Sequence, residues 1–277
     1  MRPAVVGHVE WVEFARVERV PAQGEIVTAQ SDFAEAAGGG GVAAVQLARL
    51  AGECTLYTAL GDDETGTRAR ERLEQLGVRV EAAVRTGEPT RRAFTFLDSM
   101  GERTITVIGE RLEARRADPL PWHELASTDA VYFTAGDPDA LRAARAARVL
   151  VATARVMDVL ELAAVPLDAV VASSADPSER YRPMEPEPAL IAETAGAGGG
   201  AWNAREGHTG KWAAATVPGP VRDAYGCGDS FAAGLTYALG EGLDPDRALQ
   251  LAAACGAACL AGDGPYGYEL RRPAVAP

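Results

Sequence analysis

The clearest chemical signal in the sequence is a glycine-rich string that contains two carboxylates. It reads Asp-Ala-Tyr-Gly-Cys-Gly-Asp over residues 223–229, and a helix-forming run, SFAAGLTYAL, follows at once. Gly226 and Gly228 let the backbone turn its N–H groups outward, and with the positive end of the helix dipole these groups would bind an anion. A carboxylate beside such a site, here Asp229, is what phosphoryl transfer to an alcohol requires, because it orients or deprotonates the hydroxyl. Taken alone, Asp229 would be interpreted as a helix cap.

The overall composition favours an enzyme that acts on a small molecule. The chain has 277 residues, 47% of them hydrophobic, and a formal net charge of −12. The acidic balance argues against nucleic-acid binding, which depends on Lys and Arg, and no apolar run reaches the roughly 18 residues of a membrane span. Four cysteines form no CxxC pair, and the N-terminus resembles no secretion signal. We therefore expect a cytoplasmic protein with reduced thiols.

The hydrophobic pattern predicts an α/β body with a small β lid. Alternating segments within 9–33 and 92–108 indicate half-exposed antiparallel strands, which we assign to the lid. In the second half of the chain, apolar runs alternate with helical patterns, which is typical of parallel strands joined by crossover helices. Alanine-rich helices are predicted over 230–239 and 245–260. We interpret residues 1–277 as one domain that carries the lid.

The string DAYGCGDSFAAG resembles the C-terminal signature of the ribokinase-like, or PfkB, carbohydrate kinases, which is commonly DTxGAGD followed by FxxG. This resemblance implies a three-layer sandwich with a central, mainly parallel sheet and a β lid. It also implies ATP-dependent phosphorylation, with Asp229 as the catalytic base and the amides of Gly226, Cys227 and Gly228 as the anion hole. Ala224 and Cys227 depart from the signature but leave both glycines and both carboxylates in place.

A second match lies in a run of four glycines before an alanine-rich helix. Gly39, Gly40 and Gly41 resemble the family's GGKGAN sugar-binding segment, in which glycine lets the backbone approach substrate hydroxyls. Ala43 stands where the family often has Asn. The resemblance implies that these glycines contact the acceptor, whereas four glycines alone would favour a flexible loop.

Charged residues of the lid are further candidates for substrate contacts. The early Asp with which the family holds sugar hydroxyls is missing, and Glu10 or Glu13 is available in its place. Arg91 and Arg92 begin the second lid segment, which in the family faces the substrate. We predict that Glu10 and Arg92 contact the substrate, with a carboxylate or phosphate as the partner of the guanidinium. The simpler interpretation of the arginines is a solvated edge charge.

The nucleotide site is predicted from a third group of residues. Thr194, Gly196 and Gly199 resemble the family's TxGxxG loop, which meets the nucleotide phosphates, and Asp223 is assigned with them to ATP binding. Without the other matches, this segment would be interpreted as a flexible surface loop.

The family's NxxE motif, which organises water bound to magnesium, is altered in this chain. The matching region is ASSADPSERY, and either Ser173 and Asp176 or Asp176 and Glu179 occupy its two positions. We favour Asp176 and Glu179 as indirect, water-mediated ligands of Mg²⁺, because oxygen ligands suit a hard cation. Residues 262–266 correspond to a region that in relatives lies beside the adenine and sometimes a monovalent cation.

These observations predict a kinase that transfers the γ-phosphoryl group of ATP to a hydroxyl of a sugar or sugar-derived acid. We also expect a homodimer formed through the lid. A nucleoside kinase is the main alternative, since Trp11 and Phe14 of the lid could stack on a base. A catalytically weak sugar- or nucleotide-binding protein is a second alternative. A dinucleotide enzyme is disfavoured because no GxGxxG follows the first strand.

Overall fold

The computed structural model describes residues 1–271 and consists of a large α/β body and a smaller sheet. In chain order, the strands are β1 (Pro3–Val6), β2 (Glu10–Arg16), β3 (Ser31–Ala37), β4 (Cys54–Gly61), β5 (Val78–Arg85), β6 (Arg92–Leu97), β7 (Arg103–Ile108), β8 (Ala130–Phe133), β9 (Val149–Thr153), β10 (Ala169–Ser173), β11 (Leu190–Thr194), β12 (Gly200–Ala204) and β13 (Thr209–Trp212). The α-helices are α1 (Gly38–Ala51), α2 (Glu64–Gln75), α3 (Pro138–Ala144), α4 (Met157–Ala163), α5 (Cys227–Gly240) and α6 (Pro245–Leu260).

The body is built on a nine-stranded sheet with the order β13-β12-β11-β10-β9-β8-β1-β4-β5. The seven strands from β11 to β5 are parallel, and β12 and β13 add an antiparallel edge. Every residue of β1, β8 and β9 is buried, as expected for parallel strands covered on both faces. Helices α1, α2, α5 and α6 pack on one face and α3 and α4 on the other. The predicted three-layer α/β fold is therefore confirmed.

The smaller sheet has four strands in the order β3-β2-β6-β7 and corresponds to the predicted lid. Its strands are shorter than the two sequence segments suggested, because residues 17–30 form mostly irregular structure. The expected antiparallel pairing is present between β2 and β3 and between β6 and β7, and β2 pairs in addition in parallel with β6. The expectation of half exposure was wrong for β2, which is buried at five of its seven positions because it packs against α1 and α2. Strand β7 lies at the edge and exposes Ile105, Val107 and Ile108; pairing of two copies there stays a prediction.

The glycine run is helical rather than a loop, which corrects the sequence-based boundary of α1. The helix begins at Gly38, and its first turn packs directly on the segment that follows β1. A Cβ atom on Gly40 would lie 2.7 Å from the backbone of Gly7 and of His8. Glycine is therefore required for this close approach. Gly52, the residue after the apolar pattern, ends the helix in the left-handed conformation, with φ +93°.

The two C-terminal helices agree well with the sequence pattern. Helix α6 has the predicted bounds, whereas α5 begins three residues earlier than predicted, at Cys227. The last three residues of the glycine-rich string, 227–229, therefore form the first turn of α5, and residues 223–226 lead into it. Strands β5 and β11 to β13 were not predicted. No helix in residues 1–271 is long and apolar enough to cross a membrane.

Candidate active site

The N-terminus of α5 offers backbone donors to an anion. Gly226 precedes the helix with φ +80°, and no side chain caps the helix. Within the described residues, the N–H groups of Cys227, Gly228 and Asp229 have no protein acceptor. A Cβ on Gly228 would meet no atom within 4 Å, so the space beside these donors is open. The residues predicted to form an anion hole thus present unpaired N–H groups and the positive helix end to one open space.

Asp223 holds this turn in place. Its Oδ1 accepts a 2.7 Å hydrogen bond from the Tyr225 N–H, and its Oδ2 accepts a 2.9 Å bond from the Gly264 N–H. The residue is only 1% exposed, and this burial raises the pKa of the carboxyl group, although the two backbone bonds oppose the shift. The carboxylate therefore joins the loop before α5 to the loop after α6. Its contact with ATP stays a prediction.

Asp229, in the first turn of α5, lies against the first turn of α1. A Cβ placed on Gly39 would be 3.0 Å from Oδ1 of Asp229, 2.9 Å from Oγ1 of Thr134 and 3.5 Å from Cε1 of His8. Gly39 consequently forms the floor of a small space with the catalytic candidate on one side. Thr134 and His8 follow the carboxyl ends of β8 and β1, so the parallel sheet brings them to the same edge.

The environment of Asp229 makes its carboxylate more basic than an exposed one. Burial raises its pKa to about 6, and the negative charges of Glu179 and Glu10 act in the same direction. The positive charges of Arg155 and Arg103 oppose this shift. At pH 7 the group is thus mostly deprotonated, with a pKa close to the working pH, which is the condition for an effective general base.

The three predicted substrate glycines are not equivalent. Gly39 faces Asp229, as described above, whereas Gly40 is used for the close contact with the segment after β1. A Cβ on Gly41 would point toward the Tyr266 hydroxyl at 3.5 Å and Leu73 at 3.6 Å, which are ordinary contact distances. Of the three, the structure brings only Gly39 to the carboxylate.

The lid contributes a buried ion pair next to the site. Glu10 is 7% exposed; its Oε1 accepts a 3.2 Å bond from the Tyr225 hydroxyl, and its Oε2 lies 3.3 Å from Nε of Arg91. Glu13 is exposed, so the geometry favours Glu10 of the two acidic candidates. Arg92 is also exposed, and the arginine that the structure brings to Glu10 is Arg91. Substrate contact by Glu10 and Arg92 stays a prediction.

The predicted phosphate loop follows β11. The Thr194 hydroxyl donates to the Ala172 carbonyl at 3.1 Å, which ties the end of β11 to β10. Gly196 has φ +54° and open space around it, and it is accessible to a phosphate group. Gly199 has a different role, since a Cβ there would lie 2.1 Å from the Trp212 carbonyl oxygen. It is required for packing against β13, and its contact with ATP stays a prediction.

The candidate magnesium residues are linked to an arginine. Asp176 accepts bonds from the Ser178 N–H at 2.9 Å and hydroxyl at 2.7 Å, and its Oδ2 lies 3.2 Å from Arg155. Glu179 forms an ion pair with the same guanidinium, while the Ser173 hydroxyl accepts from the Asp176 N–H at 3.3 Å. Within the described residues, no three His, Cys, Asp or Glu side chains are grouped to hold a metal ion. The carboxylates fit an ion held mainly by nucleotide phosphates and reached through water.

Four residues of the site were missed or underrated from the sequence: His8, Arg103, Thr134 and Arg155. Three of these directly follow the strands β1, β8 and β9, and the ends of parallel strands are where α/β proteins bind ligands. That position was the available signal. Arg103 lies in the turn before β7, a position typical of a solvated charge, but its Nη1 donates to the Ala224 carbonyl at 2.7 Å. The Ala224 N–H donates in turn to the Gly101 carbonyl at 3.1 Å, so the turn between β6 and β7 contacts the segment just before α5.

The fold and the site together fit a phosphotransferase, with unpaired N-terminal amides and a buried carboxylate in one helical turn. Comparison with known proteins identifies the family of this phosphotransferase. The sequence model of the pfkB family carbohydrate kinases matches residues 3–176 and 184–267, and the chain belongs to this family. It is an ATP-dependent carbohydrate kinase.

Individual relatives cover nearly the whole chain. The ATP-dependent ribose-1-phosphate kinase of Halopiger xanaduensis is 30% identical over an alignment that covers 93% of this chain and 91% of the relative. A candidate ribokinase structure from Agrobacterium tumefaciens superposes with a TM-score of 0.85 at 23% identity, covering 98% of this chain and 94% of its own. Arabidopsis thaliana ribokinase, solved with ribose and ATP, gives a TM-score of 0.74 at 20% identity, with 96% and 95% coverage. The structural matches concern the fold alone.

Proposed function

We propose that this kinase phosphorylates a hydroxyl group of a sugar or sugar-derived acid, with Asp229 as the catalytic base. One observation supports this most directly: Asp229 lies in the helical turn whose N–H groups are unpaired, and its Oδ1 lies 3.0 Å from the position that a Cβ on Gly39 would take. The relative that acts on ribose 1-phosphate supports a sugar as the acceptor.

In this proposal each part of the site performs one task. The acceptor lies over Gly39, where the absence of a Cβ leaves room for its hydroxyl beside Asp229. Asp229 accepts the proton of that hydroxyl as its oxygen bonds to the γ-phosphorus of ATP and the bond to ADP breaks. The amides of Cys227 and Gly228 stabilise the charge on the transferred group. Magnesium, held by the phosphates and contacted through water by Asp176 and Glu179, would neutralise further charge.

The lid restricts water during transfer. Water would otherwise compete with the sugar as the acceptor and hydrolyse ATP. Contacts that hold the lid against the body in this structure include those of Arg103 and Gly101 with Ala224, and that of Arg16 with Asp263, where Nη2 lies 2.8 Å from Oδ1. The lid is thereby joined to the loop that leads into the anion hole, so closure and assembly of the site are coupled.

The aromatic side chains of the lid do not favour a nucleoside as the acceptor. Phe14 is buried and stacks on Phe33, with ring centroids 4.6 Å apart, and it packs edge-on against Tyr225. The ring of Trp11 is covered by the Arg68 guanidinium at 4.4 Å. Both aromatic groups that could have stacked on a base are packed against the protein instead.

The proposal is tested by ADP release from ATP and Mg²⁺ with a panel of sugars, sugar acids, sugar phosphates and nucleosides. We expect turnover with one sugar class and a loss of about 10²- to 10⁴-fold in kcat for Asp229→Ala, with the affinity for ATP largely unchanged. Asp246→Ala is the matched control, because Asp246 also lies in the first turn of a helix, α6, but is exposed. Full turnover by Asp229→Ala would remove the residue from the mechanism. ATP binding without turnover on any acceptor would favour a binding protein.

A further inference from the structure

The space beside Asp229 contains a second side-chain oxygen, that of the Thr134 hydroxyl group. Oγ1 of Thr134 lies 2.9 Å, and Oδ1 of Asp229 lies 3.0 Å, from the position that a Cβ on Gly39 would take. Gly39 and Asp229 are partly exposed, whereas Thr134 is only 2% exposed. A ligand that enters over Gly39 therefore finds the carboxylate near the surface and the hydroxyl group deeper in the protein.

The fold fixes the direction of this hydroxyl group. Thr134 directly follows β8, and its N–H continues the parallel pairing with β1 by donating to the Val6 carbonyl at 2.9 Å. Its methyl carbon, Cγ2, packs so closely on the segment after β1 that a Cβ on Gly7 would lie 2.5 Å from it. Because the methyl group is held there and a β-branched side chain is stiff about χ1, Oγ1 stays on the side of Gly39.

The hydroxyl group of Thr134 keeps hydrogen-bonding capacity for a ligand. Tyr132 lies two residues earlier, so its side chain is on the same face of the sheet. Burial raises the pKa of Tyr132, and hydrogen bonds with the hydroxyl groups of Thr134 and Thr153 oppose this shift. A threonine hydroxyl group has one proton and two lone pairs, and the contact with one phenol uses only one of these three. The hydroxyl group can therefore still bond to a molecule over Gly39.

The position of Thr134, and not its burial, is the informative observation. Thr58 on β4 is also fully buried, and its hydroxyl group has no hydrogen-bond partner, so a buried threonine is not in itself a site. Only the position of Thr134, within 3 Å of the same point as the proposed base, distinguishes the two. Packing on Gly7 explains the methyl group of Thr134, because valine would make the same contact, but it does not explain the hydroxyl group.

We propose that Thr134 is a specificity-determining residue, whose hydroxyl group binds the hydroxyl group on the carbon next to the one that is phosphorylated. The assignment rests on the proposed function. The reacting hydroxyl group donates its proton to Asp229, while its neighbour bonds to Thr134. Both protein oxygens lie within 3.0 Å of one point, and hydroxyl groups on adjacent carbons are close enough together to bond to both at once. The acceptor is therefore a vicinal diol, and the contact with Thr134 selects which of its hydroxyl groups reacts.

The test combines a variant of the protein with analogues of the acceptor. Phosphorus NMR of the product identifies the phosphorylated carbon of the best acceptor in the panel above, and the probes are its monodeoxy analogues, each lacking one hydroxyl group. For the native protein, kcat/KM should be about 10- to 100-fold lower with the analogue that lacks the neighbouring hydroxyl group, because a buried partner is left unpaired. Thr134→Val keeps the packing on Gly7 and should lose a similar factor with the full acceptor. With that analogue, the variant and the native protein should differ by no more than about twofold, because the bond is already absent.

Two further variants make the result specific to the hydroxyl group. Thr134→Ser restores the hydroxyl group and should recover most of kcat/KM with the full acceptor, whereas Thr58→Val, the same substitution at a buried threonine of β4, should change it little.

The outcomes separate this assignment from the proposed function. Losses that multiply when Thr134→Val is combined with the deoxy analogue would overturn the assignment and leave the kinase function intact, since the residue would then act through Asp229 or through the fold. A best acceptor without a neighbouring hydroxyl group would also overturn it. Absence of turnover with every acceptor would contradict the proposed function and the assignment together.

Discussion

One half of the candidate active site presents mainly backbone groups, whereas the other half presents side chains. On one side, the first turn of α5 supplies backbone N–H groups and one carboxylate, all within the seven residues 223–229. On the other side, the neighbours of Gly39 are the side chains of His8 and Thr134, which follow β1 and β8, and the lid adds the Glu10–Arg91 ion pair. We propose that the first region handles the transferred phosphoryl group and that the second contacts the acceptor.

This difference explains why the reaction is easier to recognise than the substrate. A backbone cradle requires glycine at fixed spacing, so its residues stand together in the sequence. A binding site made of side chains requires only that residues from distant parts of the sequence lie close together in the fold. Each of these residues can be substituted independently as the substrate changes. Glu10 and Arg91 form such a pair, since they are 81 positions apart in the sequence and 3.3 Å apart in the structure.

Among the changes that test this comparison, the largest effect is expected from Gly39→Ala, at the boundary between the two regions. The added Cβ would lie 3.0 Å from Oδ1 of Asp229 and 2.9 Å from Oγ1 of Thr134, where the acceptor hydroxyl is proposed to bind. We expect kcat/KM for the acceptor to fall about 100-fold, because a displacement of about 1 Å at the reacting atoms has an effect of this size. The KM for ATP should change little.

Gly41→Ala provides a matched comparison in the same helical turn. Its Cβ would meet Tyr266 and Leu73 at 3.5–3.6 Å, which requires no rearrangement. We expect this variant to keep most of its activity and both proteins to melt at similar temperatures. Equal losses in the two variants would contradict the placement of Gly39 alone at the reacting site and would indicate that the whole glycine run contacts the acceptor.

The fold was predictable from local patterns wherever an element contains its own signal. The apolar runs of β8, β9 and β10, the end of α1 at Gly52 and the bounds of α6 could all be identified from the sequence. The parallel β2–β6 pair could not, because it joins strands separated by about 80 residues and its register depends on packing against the body. The helical glycine run was missed for a related reason. Glycine disfavours a helix unless a close contact requires it, and that contact, with Gly7, is a tertiary one.

The part of the candidate site that could be predicted is the part formed by one continuous segment of the backbone. Asp229 and the amides of α5 followed from a seven-residue string. Arg103 and Arg155 were not recognised, because nothing near either residue in the sequence shows what it contacts. Arg103 lies in a turn typical of exposed charge, and only the docking of the lid on Ala224 brings it to the site.

A smaller effect is expected for Arg103→Gln, which weakens the connection between the two regions. The variant loses the 2.7 Å bond from Nη1 to the Ala224 carbonyl and a positive charge that lowers the pKa of Asp229. We expect about a tenfold loss in kcat, and an increase in ATP hydrolysis relative to sugar phosphorylation as closure weakens. Arg19→Gln, elsewhere in the lid and paired with Glu25, is the control. An unchanged ratio of hydrolysis to transfer would show that this contact does not exclude water.

The smallest effect concerns how the charge of Glu179, a side chain outside α5, changes the pKa of Asp229. Asp229 must be deprotonated to accept a proton, so kcat/KM should rise with pH and level off above the pKa of about 6. Burial is the main cause of the raised pKa, and the negative charge of Glu179 adds to it. Removing that charge in Glu179→Gln therefore lowers the pKa, and the acidic limb of the profile should move about half a unit to one unit toward lower pH.

The direction of this shift distinguishes two functions of Glu179. If the residue acted only through magnesium, Glu179→Gln would lower kcat/KM or raise the requirement for Mg²⁺ without moving the acidic limb. If its charge acts on Asp229, the limb moves even at saturating Mg²⁺. Glu193→Gln, an exposed carboxylate on β11, should leave the limb unchanged. A shift toward higher pH in Glu179→Gln would contradict the electrostatic assignment, because loss of a negative neighbour cannot make a carboxylate more basic.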